Sequence, residues 1–363
     1  MWKITLNTIF KSVLIGLILS TLLSCQSTAT STDTVENEQA WNENAYADKF
    51  KLRSTNDSVF LQIESPVSNQ YIDYAFRKYS VSEIALSNSV QWSFLKLLVG
   101  KKELPGAVAG HKYFCDSIIH SSVADGQVVE LRGAENIDEE QMILSESKLL
   151  LQDGFGQRIL SQEGTKPYVT LFIMEWKENH PLARLEWIKV LGALVGKEKE
   201  ATSIFENKRS AYETLKNSFS KKSISCNVMT SAPYKNEWHI PAKNSYMETL
   251  ISDAGGALLH NQQNEHVSQK LNLEEAYIDF KVADVWLVNS GIEQLKVLEA
   301  AVPFYNEIKA AQKGNIYNYH KSKAFGNYFF WEDGVCQPEQ LLSEYRQMFE
   351  GNLEQSKYYM HVE

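Results

Sequence analysis

The chain has 363 residues, 44% of them hydrophobic, and its 45 acidic residues outnumber its 36 lysines and arginines, for a formal charge of −9. An acidic chain without a basic stripe argues against nucleic acid as a partner. The length is sufficient for two domains with substantial cores.

Residues 1–24 have the composition of a signal peptide. Lys3 and Lys11 flank or precede an apolar run at 12–23, which is too short for a membrane-spanning helix. The run ends in Leu22-Leu23-Ser24-Cys25, which resembles the lipobox of bacterial lipoproteins. We therefore expect a lipid on Cys25 to anchor the protein to a membrane, and an uncleaved anchor with an incidental cysteine is the alternative.

Residues 25–47 are rich in Ser, Thr, Asn and Glu, so we predict a flexible tether. Without the signal peptide the chain carries 34 basic and 45 acidic residues, a net charge of −11. Three cysteines remain after lipidation: Cys115, Cys226 and Cys336. Their number and spacing do not fit zinc ligands, so we predict no metal site, and one disulfide of unassigned pairing stays open.

The first predicted lobe, residues 48–195, begins with a hairpin and continues as alternating strands and helices. The hairpin joins segments 50–52 and 59–63 through an Asn/Asp turn. Further strands are predicted at 84–86, 106–109, 148–151 and 168–174, with helices at 90–98 and from Glu139. This alternation predicts a mostly parallel sheet covered by helices, with the ligand beyond the carboxyl ends of the strands.

Residues 197–219 predict one long helix, within a bridging segment at 196–220. Apolar side chains recur at intervals of three and four residues, at Ala201, Ile204, Phe205, Ala211, Tyr212, Leu215 and Phe219. At ~1.5 Å per residue the helix would reach roughly 34 Å. We interpret it as a strut between two lobes, a spacer more than a hinge.

The second predicted lobe, residues 221–363, repeats the pattern of the first. Strands are predicted at 224–229, 285–288 and 316–319, with a helix at 246–254 and polar loops at 230–238, 289–291 and 323–331. The predicted fold class is therefore α/β, with two lobes, each a mostly parallel sheet flanked by helices, joined by one bridging helix.

The two lobes also share a helix start. Asn136 and Asn272 can each cap a helix, with Glu139 and Glu275 three residues on to close a capping box. Taken alone, the repeat is explained by the fact that an Asn followed by a Glu three residues later is a favourable start for any helix.

Several motifs together resemble one family. Residues 180–189 look like the segment before the bridging helix in substrate-binding lipoproteins of ATP-binding-cassette importers, in the iron–siderophore subclass, with cobalamin and haem binders as relatives. Further matches follow in order at Trp238-His239-Ile240-Pro241, Ser245-Tyr246, Asp253-Ala254-Gly255-Gly256, 283–286, 326–329 and 334–342. The order and spacing carry the resemblance. Ser147-Lys148 and Pro338-Glu339 depart from the Pro-Asp pairs usual in the family.

The resemblance implies that one glutamate on each lobe docks onto arginines of a membrane permease. Glu140 and Glu274 occupy the matching positions, and Glu139 and Glu275 are adjacent alternatives. Two carboxylates can meet two cationic sites on a twofold transporter, and such pairs give register and association rate.

A ferric siderophore is the ligand that the resemblance favours, with no resident cofactor. Aromatic faces and a few cations suit a large, partly aromatic anion. The candidate ligand-binding residues are Asn88, Ser89, Trp176, Tyr234, Trp238, His239, Lys243, Lys323, Tyr328 and Trp331. For each aromatic side chain core packing is the alternative, and haem would instead need an axial ligand such as Tyr113, His111 or His239.

An enzyme is the competing class, but the chain contains no G-x-S-x-G, H-E-x-x-H or P-loop motif. A scaffold lipoprotein is a third alternative. The resemblance thus implies a periplasmic, lipid-anchored receptor that delivers a ferric siderophore complex to an importer, with a cobalamin or haem receptor of the same fold as the alternative. Gln26 after the lipobox cysteine favours the periplasmic side.

Overall fold

The computed structural model describes residues 40–66, 68, 70–132, 137–154, 166–220, 226–259 and 268–363. The signal peptide, Cys25, most of the predicted tether, Asn136 and the start of the strand predicted at 224–229 lie outside the described residues. Among the helices described, none is long and apolar enough to cross a membrane.

A three-stranded antiparallel sheet opens the fold, in the order β1 (Phe50–Ser54), β2 (Ser58–Glu64) and β3 (Tyr71–Arg77). Its first hairpin is the predicted one, with Phe50 opposite Ile63. Residues 45–47, predicted to belong to the tether, are instead bound to the fold. Their N–H groups donate to the buried carboxylate of Glu186 at 2.8–2.9 Å.

The first lobe contains a five-stranded, fully parallel sheet in the order β6-β5-β4-β7-β8. Its elements are β4 (Ile84–Leu86), α1 (Ser89–Val99), β5 (Ala107–Ala109), α2 (Ser117–Ala124), β6 (Val129–Leu131), α3 (Glu139–Leu144), β7 (Leu149–Gln152) and β8 (Val169–Phe172). The central strands are buried on both faces, which is why they read as continuous apolar runs. The short edge strand β6 and helix α2 were not predicted.

Three helices link the lobes: α4 (Pro181–Glu186), α5 (Ile188–Leu194) and α6 (Glu198–Ser220). The last matches the predicted strut to within a residue at each end, although Ala211 is exposed rather than part of the buried stripe. Gly192 lets α5 pack closely on α6, because a Cβ there would lie 2.5 Å from the Cβ of Ala201.

The second lobe holds another five-stranded sheet, ordered β11-β9-β13-β14-β17, in which the last strand alone is antiparallel. The second lobe also contains two two-stranded sheets, β10-β12 and β15-β16. The strands of this lobe are β9 (Cys226–Thr230), β10 (Glu237–Ile240), β11 (Gly256–Leu258), β12 (Gln269–Asn272), β13 (Val285–Leu287), β14 (Ile316–Asn318), β15 (Lys323–Ala324), β16 (Asn327–Tyr328) and β17 (Met360–His361). Its helices are α7 (Tyr246–Asp253), α8 (Leu273–Phe280), α9 (Leu295–Ala301), α10 (Lys309–Gln312), α11 (Phe329–Asp333) and α12 (Pro338–Glu350).

The predicted fold class is confirmed: two largely parallel sheets, flanked by helices, are joined by one long helix. The loop predicted at 323–331 is instead the β15–β16 hairpin followed by α11. Cys115, Cys226 and Cys336 are buried free thiols, and burial raises the pKa of each.

Candidate functional site

Three loops of the first lobe meet at the carboxyl edge of its sheet. Trp176, after β8, donates its indole N–H to the carbonyl oxygen of Asp153, after β7, at 2.7 Å. Asn88, after β4, lies 3.5 Å from the Asp153 carboxylate through its Nδ2, and it also caps α1 by accepting from the Gln91 N–H. The structure thus brings together the predicted residues Asn88 and Trp176, with the half-buried Ser89 beside them.

In the second lobe, an aromatic cluster follows strand β14. The ring of Tyr319 lies 5.3 Å from that of Tyr328 and 5.2 Å from that of Trp331. Tyr328 donates its hydroxyl to Glu293 at 2.5 Å, and the Lys323 ammonium lies 3.3 Å from the same carboxylate oxygen. Lys323, Tyr328 and Trp331 therefore share one cluster. The carboxylate of Glu293 neutralises the charge of Lys323, which was predicted to be a ligand-binding cation.

A small groove, with a cavity volume of about 30 Å³, lies between α4, which links the lobes, and helices α7, α11 and α12 of the second lobe. Apolar and aromatic side chains dominate its lining, which consists of Pro181, Arg184, Tyr246, Leu250, Phe330, Trp331, Gly334, Val335, Pro338 and Leu341. Half of the Trp331 surface is exposed at this groove. A lining of apolar and aromatic side chains around one charged group is typical of sites for small molecules.

Arg184 is the cation of the groove. Its guanidinium lies over the ring of Tyr246 at 4.2 Å, and Nη2 lies 3.3 Å from an oxygen of buried Glu175. Its buried Nε has no hydrogen-bond partner among the described residues. Burial raises the pKa of Glu175, although the charge of Arg184 opposes the rise. Glu175 and Tyr246 therefore hold a guanidinium that keeps an unused donor.

Neither Arg184 nor Tyr246 was predicted as a site residue. A signal was present in the sequence, because the residues on both sides of Arg184, at 181–183 and at Leu185, are apolar and buried. A cation placed among core residues needs compensation from a partner or a ligand. The need for compensation identifies Arg184 from the sequence, but its partners Glu175 and Tyr246 become evident only in the folded chain.

Three predicted ligand residues lie on another element. Tyr234 and His239 belong to the hairpin around β10, and Lys243 follows that strand. Tyr234 is 65% exposed, and the imidazole of His239 lies 3.8 Å from the Glu237 carboxylate. None of these three is among the residues that line the groove.

Trp238 is a core residue, which corrects its assignment to a polar loop of the cleft. It lies in β10, whose alternation turns Trp238 and Ile240 inward and Glu237 and His239 outward. The fully buried indole packs 5.0 Å from the ring of Phe280, and its N–H donates to Thr230.

Replacing Trp238 by alanine should lower the free energy of unfolding by about 3–5 kcal/mol, because it opens a cavity in the second-lobe core. Ligand affinity per folded molecule should not change. Urea unfolding followed by ligand titration checks both. His239→Ala, on the outer face of the same strand, is the control and should be nearly neutral; ligand loss without destabilisation would return Trp238 to the site.

The buried carboxylate of Glu332, in α11 of the second lobe, contacts residues of the first lobe. One oxygen accepts the Cys115 N–H at 2.5 Å, and the other lies 3.8 Å from the Lys96 ammonium, which pairs with Asp116 at 3.0 Å. Burial raises the pKa of Glu332 to about 7; Asp116 and Asp333 add to the rise, while the Cys115 N–H and Lys96 oppose it.

This carboxyl should make stability depend on pH. Between its ordinary pKa of 4.5 and about 7 the folded state binds more protons than the unfolded chain, so the free energy of unfolding falls as pH rises through that window. Glu332→Gln should remove about 3 kcal/mol of this fall. Denaturant melts at pH 5 to 8 test it, and identical pH profiles would contradict it. Burial also raises the pKa of Glu178 to about 7. Glu178 contributes equally to the pH profiles of wild type and variant, so the difference between the profiles reports Glu332 alone.

The glutamates at the starts of α3 and α8 differ in their engagement. Glu139 pairs with Lys166 at 2.9 Å, and Glu275 accepts the Asn272 N–H at 2.9 Å in the predicted capping box. Glu140 and Glu274 are exposed, and among the described residues their carboxylates have no partner. Helix α3 is capped by Asp138 rather than by Asn136, which lies outside the described residues.

Comparison with known proteins gives a family match over more than half of the chain. A family model described as periplasmic binding protein matches residues 109–322. An uncharacterized lipoprotein of Methanocaldococcus jannaschii is 22% identical over 325 residues, covering 85% of this chain and 75% of the relative.

Solved structures share the fold at low identity. The triscatecholate siderophore binding protein FeuA from Bacillus subtilis is 14% identical with a TM-score of 0.58, over 78% of this chain and 98% of its own. A periplasmic heme binding protein from Pseudomonas aeruginosa is 13% identical with a TM-score of 0.56, over 77% and 97%.

Proposed function

From the premise that this chain belongs to the periplasmic binding protein family, which is non-enzymatic, we propose that it is a lipid-anchored receptor for a ferric siderophore. In this proposal it delivers the complex to the permease of an ATP-binding-cassette importer. Cys25 carries the lipid and holds the receptor at the periplasmic side of a bacterial membrane.

The observation that carries the ligand class is Arg184 in an aromatic groove. A guanidinium offers planar, charge-assisted hydrogen bonds to carboxylate or catecholate oxygens. Trp331 and Tyr246 offer flat faces to aromatic rings of the chelator. A siderophore already saturates its iron, so the receptor needs no metal ligand of its own.

Fold relatives support this class and define its alternatives. One solved relative is a siderophore binding protein and another binds heme. For haem, the predicted axial ligands are Tyr113, His111 and His239. Tyr113 is 60% exposed, whereas His111 is held by Glu130 at 2.6 Å. Cobalamin, whose anionic group is a phosphodiester, is the other alternative.

A thermal-shift panel tests the proposal. The protein in mild detergent is melted with ferric catecholate, ferric hydroxamate, cobalamin and haem, with the iron-free chelators as controls. A ligand at 1,000 times its Kd stabilises the folded state by ~4 kcal/mol, which raises Tm by several degrees. We expect a ferric chelate to do so; a shift with cobalamin or haem alone would replace the ligand class.

Docking to the permease completes the proposed function. We assign it to Glu140 and Glu274, one on each lobe, because Glu139 and Glu275 are engaged within the chain. An exposed carboxylate without an internal partner is available to a cation of another protein. Helix α6 lies between the lobes and sets the separation of the two glutamates.

A further inference from the structure

The helices that carry Glu140 and Glu274 also expose large aliphatic side chains. On α3, Ile143 is 57% and Leu144 68% exposed; on α8, Ile278 is 64% exposed, and Val282 just beyond the helix is 46% exposed. Apart from Val297 on α9, Ile143, Leu144 and Ile278 are the exposed large aliphatic side chains within the described helices. Their concentration on two helices of different lobes is a feature that packing within the chain leaves unexplained.

On each helix, one exposed aliphatic residue lies on the same face as the glutamate before it. Leu144 follows Glu140 by four residues and Ile278 follows Glu274 by four, a spacing at which side chains are neighbours. The two lobes thus repeat one pattern, an unpaired carboxylate with an exposed aliphatic group one turn on.

The two helices have the same orientation relative to their sheets. Helix α3 leads into β7 and α8 into β13, and both strands are parallel members of their sheets. The start of each helix therefore lies at the carboxyl edge of its sheet. Glu140 and Glu274 lie toward that edge, and the aliphatic groups lie one turn further from it.

Resting on the proposed function, we propose that Ile143 with Leu144, and Ile278 with Val282, form the apolar half of a two-part docking surface for the permease. The complementary surface of the permease carries, for each lobe, a cation bordered by apolar side chains. Burying aliphatic area stabilises the complex independently of salt, whereas the carboxylates give register and association rate.

The test measures binding to the permease, reconstituted with its ATPase in nanodiscs, at low and high salt. Ile143→Ser combined with Ile278→Ser should weaken binding about tenfold at both salt concentrations. Glu140→Ala with Glu274→Ala should instead remove most of the salt dependence. Val297→Ser, at an exposed aliphatic residue on α9 that is 47% exposed, is the control and should change affinity less than twofold.

Two results would overturn the proposal. One is a doubly substituted isoleucine variant that binds like the Val297 control; circular dichroism and ligand affinity establish that it is folded. The other is self-association of the wild type that the two serines abolish, because the surface then pairs with a second copy. Failure of the wild type itself to bind the permease would count against the proposed function.

Discussion

Replacing Arg184 by methionine should raise the Kd for the ferric chelate about 100-fold, the largest effect expected of any single substitution in the groove. The variant removes a charge and its hydrogen bonds to the anion, each charge-assisted bond contributing about 1.5–3 kcal/mol. Arg184→Lys should recover part of the affinity, because it restores the charge without the planar fork. Quenching of tryptophan fluorescence, with Trp331 at the groove, measures the Kd.

The variant leaves Glu175 buried without its cation, and this sets the folding control. Burial already raises the pKa of Glu175, and losing Arg184 raises it further, so the carboxyl takes up a proton instead of remaining charged. Adding Glu175→Gln to the Arg184 variant should therefore change stability little. Lys323→Met is the matched control for charge, with a small effect because Glu293 pairs with Lys323. Unchanged affinity in a folded Arg184 variant would exclude the groove as the anion site.

The parts of the fold that were predictable are those whose burial follows a local pattern, either a helical period or an unbroken apolar run. Helix α6 has one apolar stripe over 23 residues, and strands such as β4 and β7 are buried on both faces. Both patterns can be read without knowing the partner elements. Strand β6 was missed because it has three residues, one of them a glutamate, too few to show a period.

The site was less predictable because its residues depend on distant partners. Trp238 lies in a polar stretch, and its burial follows from pairing of β10 with β12, whose Leu271 lies opposite it. The position of the Arg184 guanidinium depends on its contacts with Glu175 and Tyr246, which lie on different elements. Asn88 and Trp176 were found because both follow strands of one parallel sheet, whose carboxyl ends necessarily share an edge.

Replacing Glu140 and Glu274 together by alanine should reduce transport of the chelate by at least 100-fold while the Kd for the ligand stays unchanged. Each lost charge-assisted pair weakens docking by about 1.5–3 kcal/mol, and the two losses act on one complex. Uptake of radiolabelled iron by cells, with ligand titration of the purified variants, measures both quantities. A loss of ligand affinity would instead place these carboxylates in the binding site.

Glu139→Ala with Glu275→Ala is the matched control, since it removes the same charge from the adjacent positions. It should cost some stability, because Glu275 closes the capping box of α8, but leave transport near wild type. Equal loss of transport in both pairs would mean that only net charge near the helix starts matters.

The single variants then test the role of α6. If α6 holds the two glutamates at a fixed separation, forming one contact needs no further ordering of the lobes, so the effects of Glu140→Ala and Glu274→Ala on docking should add. If the lobes moved freely, the second contact would also have to order the lobes, so the two single effects would sum to more than the effect of the double substitution. The double-mutant cycle therefore distinguishes a strut that fixes the separation of the glutamates from a flexible joint.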